Sequence, residues 1–261
     1  MSTLNTLFRK RIGYPENEEI TFENLDIILE KMAKTIPFEN LCIIGKKTTN
    51  ISKENLINKL LLKNEGGLCY ELNALLNFFL AQNGFDITLV RGVIFDQQNK
   101  RWNTIGKTHV ANLITYRGQV YLADTGFGGN LPLRPVPLTG ETAASANGEF
   151  SVKKEESDQG NYIFYMKLRD KDTEWKKGYA FHSAEAVHDI TDLNEVQKII
   201  LEHPESPFNK KKLITMLTDR GNATLTESLF TEWADGRSEK KEVDDKEFAE
   251  IAKNYFGLSD Y

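Results

Sequence analysis

Glu65-Gly66-Gly67-Leu68-Cys69-Tyr70-Glu71-Leu72 is the stretch that decides how the chain is read. Its two glycines stand directly before apolar residues at Leu72, Leu75, Leu76, Phe79 and Leu80, the spacing of one helix face, so Cys69 is placed in the first turn of a helix. Unpaired backbone N–H groups and the positive end of the helix dipole favour a thiolate at such a position. The glycines let other chain or ligand atoms come close. The same cysteine reads equally well as a small core side chain, as many free cysteines do. Asn83-Gly84 closes the helix, the apolar period changes, and residues 87–95 read as a strand.

Upstream, Leu25, Ile28, Leu29 and Met32, then Leu56, Leu60 and Leu61, keep helical spacing, so the first third is mainly helical. Downstream, residues 110–121 read as two strands around Arg117-Gly118, and shorter strands are expected at 148–152, 162–168 and 178–181, an antiparallel sheet or small barrel. The polar stretch 153–161 is expected to separate strands, and the charged run 237–246 to be a solvated loop. Helical spacing returns in Val196, Ile199 and Ile200 and again in Phe248, Ile251, Ala252 and Tyr255 before Gly257. This gives an α+β chain in three sections: 1–83 carrying the cysteine, 84–193 mainly β, and 194–261 mixed.

Composition narrows the chemistry. Hydrophobic residues make up 40% and charged residues 27% of 261 residues, ordinary for a soluble globular protein. No apolar run approaches the roughly 20 residues a membrane span needs. Residues 1–14 lack the pattern of a secretory signal, so a cytoplasmic location is expected. A net charge of -5 argues against nucleic acid as a partner. Two cysteines, Cys42 and Cys69, are too few for a disulfide scaffold and, with four scattered histidines, too few for a zinc site, so no metal is expected.

A cysteine at a helix start gains most from a histidine that can pair with it as imidazolium, and His109 lies in the β-patterned run Thr108-His109-Val110-Ala111-Asn112-Leu113. If Arg117-Gly118 is a two-residue turn, Tyr116 pairs with Gln119, Ala111 with Asp124, and His109 faces Gly126. His109 and Asp124 then share a face as diagonal neighbours about 7 Å apart at Cα, close enough for the carboxylate to accept an imidazole N–H. A bulged turn would put them on opposite faces. Asp124-Thr125-Gly126-Phe127-Gly128-Gly129-Asn130 is a glycine-rich turn that could approach a ligand backbone-first, or hold a pyrophosphate through N–H groups, but lacks the Lys-Ser/Thr ending of a Walker loop. A plain tight turn is the alternative.

Three linked motifs resemble the arylamine N-acetyltransferases, in their prokaryotic form. Ile36-Pro37-Phe38-Glu39-Asn40-Leu41 is similar to that family's Pro-Phe-Glu-Asn-Leu element, Gly66-Gly67-Leu68-Cys69 to its nucleophile motif, and Asp124-Thr125-Gly126-Phe127-Gly128 to its Asp-Val-Gly-Phe-Gly loop. Ser206-Pro207-Phe208 is a fourth, weaker match. The resemblance implies a helical N-terminal domain, an antiparallel β-barrel middle domain and an α/β C-terminal lid around a cysteine-protease-like catalytic core. It implies Cys69 as the acetyl-accepting nucleophile, His109 as the base that pairs with it, and Asp124 as the residue orienting His109. Acetyl-coenzyme A would be the cosubstrate and an arylamine or hydrazine the acceptor, in a ping-pong cycle. By the same resemblance Thr108, Gly126, Phe127, Gly128 and Phe208 would line the cofactor site, and Phe38, Val93 and Phe127 the acceptor pocket, although ordinary core packing explains each equally well.

One departure concerns Glu65, where the family usually has an arginine that would pair with the glutamate corresponding to Glu39. Either another cation, Arg91 or Lys63, replaces it, or the loop before Cys69 is held differently. Cys42 reads as a buried spectator. A Cys, His, Asp order also serves papain-like proteases and transglutaminases, and an amide synthase of the same superfamily would keep all three motifs. A small-ligand carrier with an inert cysteine is the reading without catalysis.

Overall fold

The structure, a computed structural model, describes residues 3–258. Its first section holds α1 (Thr3–Ile12), α2 (Leu25–Thr35), the two-residue strand β1 (Phe38–Glu39), the short helices α3 (Leu41–Ile44) and α4 (Lys53–Leu56), and α5 (Cys69–Gln82). α5 is the hub, because Leu72, Leu75, Leu76, Phe79 and Leu80 are all buried. In α1 the four-residue spacing of Leu4, Phe8 and Ile12 makes one apolar stripe, and Phe8 stacks on Phe79 with ring centroids 4.0 Å apart. Burying each such side chain is worth about 1.5–3 kcal/mol. These contacts fix the end of α5 away from Cys69.

After α5 come β2 (Asp86–Asp96), β3 (Arg101–Trp102), β4 (His109–Tyr116), β5 (Gln119–Ala123), β6 (Val136–Pro137), β7 (Ala143–Ser145), β8 (Gly148–Ser157), β9 (Gly160–Leu168) and β10 (Lys176–Val187). They form one antiparallel sheet in the order β6-β5-β4-β2-β10-β9-β8-β7, with β3 added to β2, curled into a nearly closed barrel. Its interior is filled by Val90, Leu113, Leu122, Phe150, Phe164 and Phe181. The β4–β5 turn has Arg117 at φ 49° and Gly118 at φ 77°, the two positive values that a two-residue hairpin turn requires. Tyr116 pairs with Gln119 as that turn dictates. The ladder ends at Asn112 opposite Ala123, one step before the expected Ala111–Asp124 pair, because Asp124 turns its backbone into the glycine loop. His109 takes Gly92 of β2 as its ladder partner rather than facing Gly126.

The last section holds α6 (Leu193–Glu202), β11 (Leu213–Leu217), β12 (Gly221–Thr226), β13 (Leu229–Ala234), β14 (Arg237–Glu242) and α7 (Asp245–Asn254). Its sheet runs β1-β11-β12-β13-β14, so the Phe38–Glu39 strand of the helical section forms one edge, with Phe38 opposite Thr215. The other edge is β14, which corrects the reading of 237–246 as a solvated loop. Asp235-Gly236 is a tight turn with both φ positive, and every residue of β14 is exposed and polar, the composition of a strand that must not pair further. The stretch 153–161 is corrected likewise. Most of it continues β8 into β9, with Lys153 opposite Ile163, and its polar residues face solvent.

Candidate active site

Cys69 is the first residue of α5 and is 5% exposed. Glu71 caps the helix, its Oε2 accepting the Leu68 N–H at 3.0 Å. The loop before it is sewn to the Pro37–Glu39 segment, since Gly67 N–H donates to Pro37 O at 3.2 Å and Glu39 N–H donates to Gly67 O at 3.1 Å. A Cβ on Gly66 would lie 2.2 Å from Pro37 O, so only glycine fits. A Cβ on Gly126 would lie 2.5 Å from Cys69 Cα. The close approach that Gly126 permits is therefore to the helix that carries the thiol. Gly126→Ala is expected to cost about 1–3 kcal/mol through overpacking and to slow acylation of Cys69. Melting curves and acylation rates check this, and wild-type values for both would show that the contact is not needed.

His109 and Asp124 meet as expected, although both lie just beyond the β4–β5 ladder, which ends at Asn112 and Ala123. His109 Nε2 lies 2.8 Å from Asp124 Oδ2, both side chains being buried. The ring's other nitrogen is left for Cys69, whose thiol adds to the rise in the His109 pKa, while Cys69 Sγ lies 3.4 Å from Thr108 O. Asp124 Oδ2 also accepts from Tyr179 Oη at 2.9 Å, and Oδ1 accepts from Asn73 Nδ2 at 2.9 Å and Gly126 N–H at 2.8 Å. The acid is thus held by four donors from β4, β10, α5 and its own loop. Burial alone would lower the His109 pKa, but Asp124's charge and hydrogen bond, with Cys69 added, outweigh it and raise the pKa to about 10. Asp124 pays a burial cost too, yet His109, Asn73 and Gly126 keep its carboxyl below the usual range. At neutral pH the pair is imidazolium and carboxylate. A thiolate beside that imidazolium has the arrangement needed for nucleophilic attack and for returning a proton to a leaving group.

Around this centre the rings of Phe127 and Tyr179 pack on His109 at 5.0 Å and 4.3 Å. Phe38 meets Phe208 edge-on at 5.6 Å, and a Cβ on Gly128 would lie 3.6 Å from Thr215 and 4.0 Å from Phe38. Thr108 is buried next to His109, and Val93 is fully buried in β2 opposite Ala180. Three functional neighbours escaped the sequence reading. Asn73 had a signal, a polar residue four positions after Cys69 on the same face of an apolar helix. Tyr179 had none, because β10 brings it from 55 residues away. The third is Lys59, which corrects the expected partner of Glu39. Neither Arg91 nor Lys63 reaches it, as Arg91 pairs with Glu195 at 2.7 Å and Lys63 lies 4.0 Å from Glu65. Lys59 Nζ instead sits 3.7 Å from Glu39 and 2.6 Å from Glu71. Cys42 is half-buried rather than buried, with its thiol 3.8 Å from Glu65, and burial first, then the surrounding acids, push its pKa up to about 11.

Comparison with known proteins places this geometry among relatives. A family model described as N-acetyltransferase matches residues 17–259. YvcN of Bacillus subtilis strain 168, an uncharacterized acetyltransferase, is 38% identical over 95% of each chain. Probable arylamine N-acetyltransferase 3 of Dictyostelium discoideum is 32% identical over 86% of this chain and 81% of its own. Among solved structures, the NAT3 arylamine N-acetyltransferase of Bacillus cereus superposes with a TM-score of 0.94 and 41% identity, covering 99% of this chain and 100% of that one, and is described as having a Cys-His-Glu catalytic triad. In the present chain the residue that engages the histidine is an aspartate, one methylene shorter.

Proposed function

The chain belongs to the arylamine N-acetyltransferase family, and we propose that Cys69, His109 and Asp124 carry its transfer of acetyl groups from acetyl-coenzyme A to arylamines and arylhydrazines. The observation that carries the assignment of residues is the buried His109–Asp124 pair, 2.8 Å apart, next to Cys69 at the start of α5. The Cys69 thiolate attacks the acetyl carbon of the thioester. As the tetrahedral intermediate collapses, the bond to the coenzyme's sulfur breaks and the His109 imidazolium protonates that sulfur. Neutral His109 then takes a proton from the arylamine nitrogen as it attacks the Cys69 thioester, and the amide leaves with Cys69 again a thiolate. The N–H groups of Cys69 and Tyr70 lie in the first turn of α5, where a helix supplies no internal acceptor, and are the proposed donors to the tetrahedral oxyanion.

Phe127, Gly128, Thr108 and Phe208 are the residues proposed to meet the coenzyme, and Phe38 and Phe127 to meet the arylamine ring. Support comes from the Phe38–Phe208 contact and from the position of Gly128 beside Phe38. Gly126 and Val93 are proposed in supporting roles, Gly126 against Cys69 and Val93, fully buried in β2, behind the acceptor pocket. The sections 1–83, 84–193 and 194–261 are proposed to supply, in turn, the nucleophile, its histidine and acid, and the cover over the cleft. Among the described residues no helix is long and apolar enough to cross a membrane, and a cytoplasmic location is part of the proposal.

Brief mixing with acetyl-coenzyme A is expected to add one acetyl group, about 42 Da, to the intact protein on the way to product. Peptide mapping should place it on Cys69 and leave Cys42 unmodified, and adding an aminobenzoate or a hydrazine should remove it. An enzyme that takes no acetyl group, while Cys69 is alkylated rapidly, would instead be a cysteine hydrolase or transglutaminase.

A further inference from the structure

We propose that Lys59 is a positioning residue for the nucleophile, holding Glu71 in place as the cap of the helix that begins at Cys69. The idea rests on the reading of Cys69 as the nucleophile. Lys59 is nearly buried, with 12% of its side chain exposed, and it stands between two buried carboxylates, Glu71 at 2.6 Å and Glu39 at 3.7 Å. Burial disfavours its charged form, but the two glutamates more than reverse this and keep it an ammonium.

Each group that Lys59 touches is attached to the loop ending at Cys69. Glu71 gives its second oxygen to Leu68 N–H. Glu39 donates its own N–H to Gly67 O. The Lys59 carbonyl accepts the Glu65 N–H at 3.1 Å, so the residue holds the beginning of the loop by its main chain and the end of it by its charge. Behind the loop lies a cavity of about 790 Å³ bordered by Cys42, Lys59, Glu65 and Glu71, so neighbouring side chains do not brace that side fully. The other charged groups lining this cavity are Lys47, exposed at its rim, and Glu65 and Lys63, 4.0 Å from one another, and Glu65 receives the Cys42 thiol. Without the ammonium, Glu39 and Glu71 would face one another as unpaired buried acids. Repulsion would move Glu71 off Leu68 N–H. Losing that cap loosens the turn that aims Cys69 at His109.

The test measures the rate at which iodoacetamide alkylates Cys69 as a function of pH, followed by peptide mapping. It needs no acetyl-coenzyme A, so a failure of the acetyl-transfer reading cannot be mistaken for a failure of this one. Lys59→Met is expected to slow alkylation at neutral pH about tenfold, the cost of one charge-assisted contact, and to move the half-maximal rate to higher pH. Lys59→Arg is expected to keep the wild-type profile. Lys59→Met combined with Glu71→Gln should return most of the rate, since a glutamine caps Leu68 without a charge and the single remaining acid, Glu39, can take up a proton. A folded Lys59→Met protein with the wild-type profile overturns the proposal. So does a double variant that folds yet is as slow as Lys59→Met, for then Lys59 does not act through Glu71. If Lys59→Met alone does not fold, the profile of the double variant decides.

Discussion

Asp124→Asn is expected to slow formation of the acetyl-cysteine by about four orders of magnitude, the loss that the same exchange causes in a serine-protease triad, with little change in fold. The reason lies in how the four donors divide between the two oxygens. Asn73 Nδ2 and Gly126 N–H both point at Oδ1, so the amide oxygen of an asparagine is drawn to that side. Its NH₂ group is then left facing His109 Nε2 and Tyr179 Oη, where Oδ2 accepted before. Nε2 must become an acceptor to meet it, and the ring proton moves to the nitrogen that faces Cys69. Such an imidazole is neutral and has lost the carboxylate that held it as imidazolium. Stopped-flow mixing with acetyl-coenzyme A, read by intact mass, measures the rate. A variant within tenfold of wild type would mean that Asp124 does not set the protonation of His109.

Asn73→Ala is expected to have the largest effect on stability, about 3 kcal/mol, because a single truncation orphans several buried polar groups at once. Asn73 is fully buried. Its Nδ2 donates to Val110 O at 2.8 Å and to Asp124, and its Oδ1 accepts from Thr125 N–H at 3.1 Å and from Asn112 Nδ2 at 3.2 Å. Alanine satisfies none of these, and the site is too closed for the barrel strands to find water instead. For a chain of this size the melting temperature should fall by roughly 6–12 °C. Acylation should fall as well, since Asp124 loses one of its four donors. A fall of less than 2 °C or so would show that the cluster relaxes and that its bonds are replaceable.

Much of the site was legible in the chain because it depends on local rules. Two glycines before an apolar heptad-like stripe fixed Cys69 at a helix start, and Arg117-Gly118 fixed a register that brings His109 and Asp124 to one face. Both follow from the 3.6-residue and two-residue periods and from turn geometry, which act over a few residues. The misreadings were local as well. The charged run 237–246 reads as a loop because a solvent-facing edge strand carries no apolar alternation to betray it, and in the structure Asp235-Gly236 turns the chain into that strand.

What the sequence by itself determined is the placement of Cys69, His109 and Asp124 on a helix start and an adjoining hairpin, together with the α+β order of the chain. Tertiary structure alone decided which groups support them. Tyr179 reaches Asp124 from β10, Lys59 joins Glu39 to Glu71, and β1 completes a sheet whose other strands lie in the last section. Such contacts join residues far apart in the chain, and they are chosen by which buried donor, acceptor or charge would otherwise stand unpaired. That choice has no period, so only the folded protein displays it.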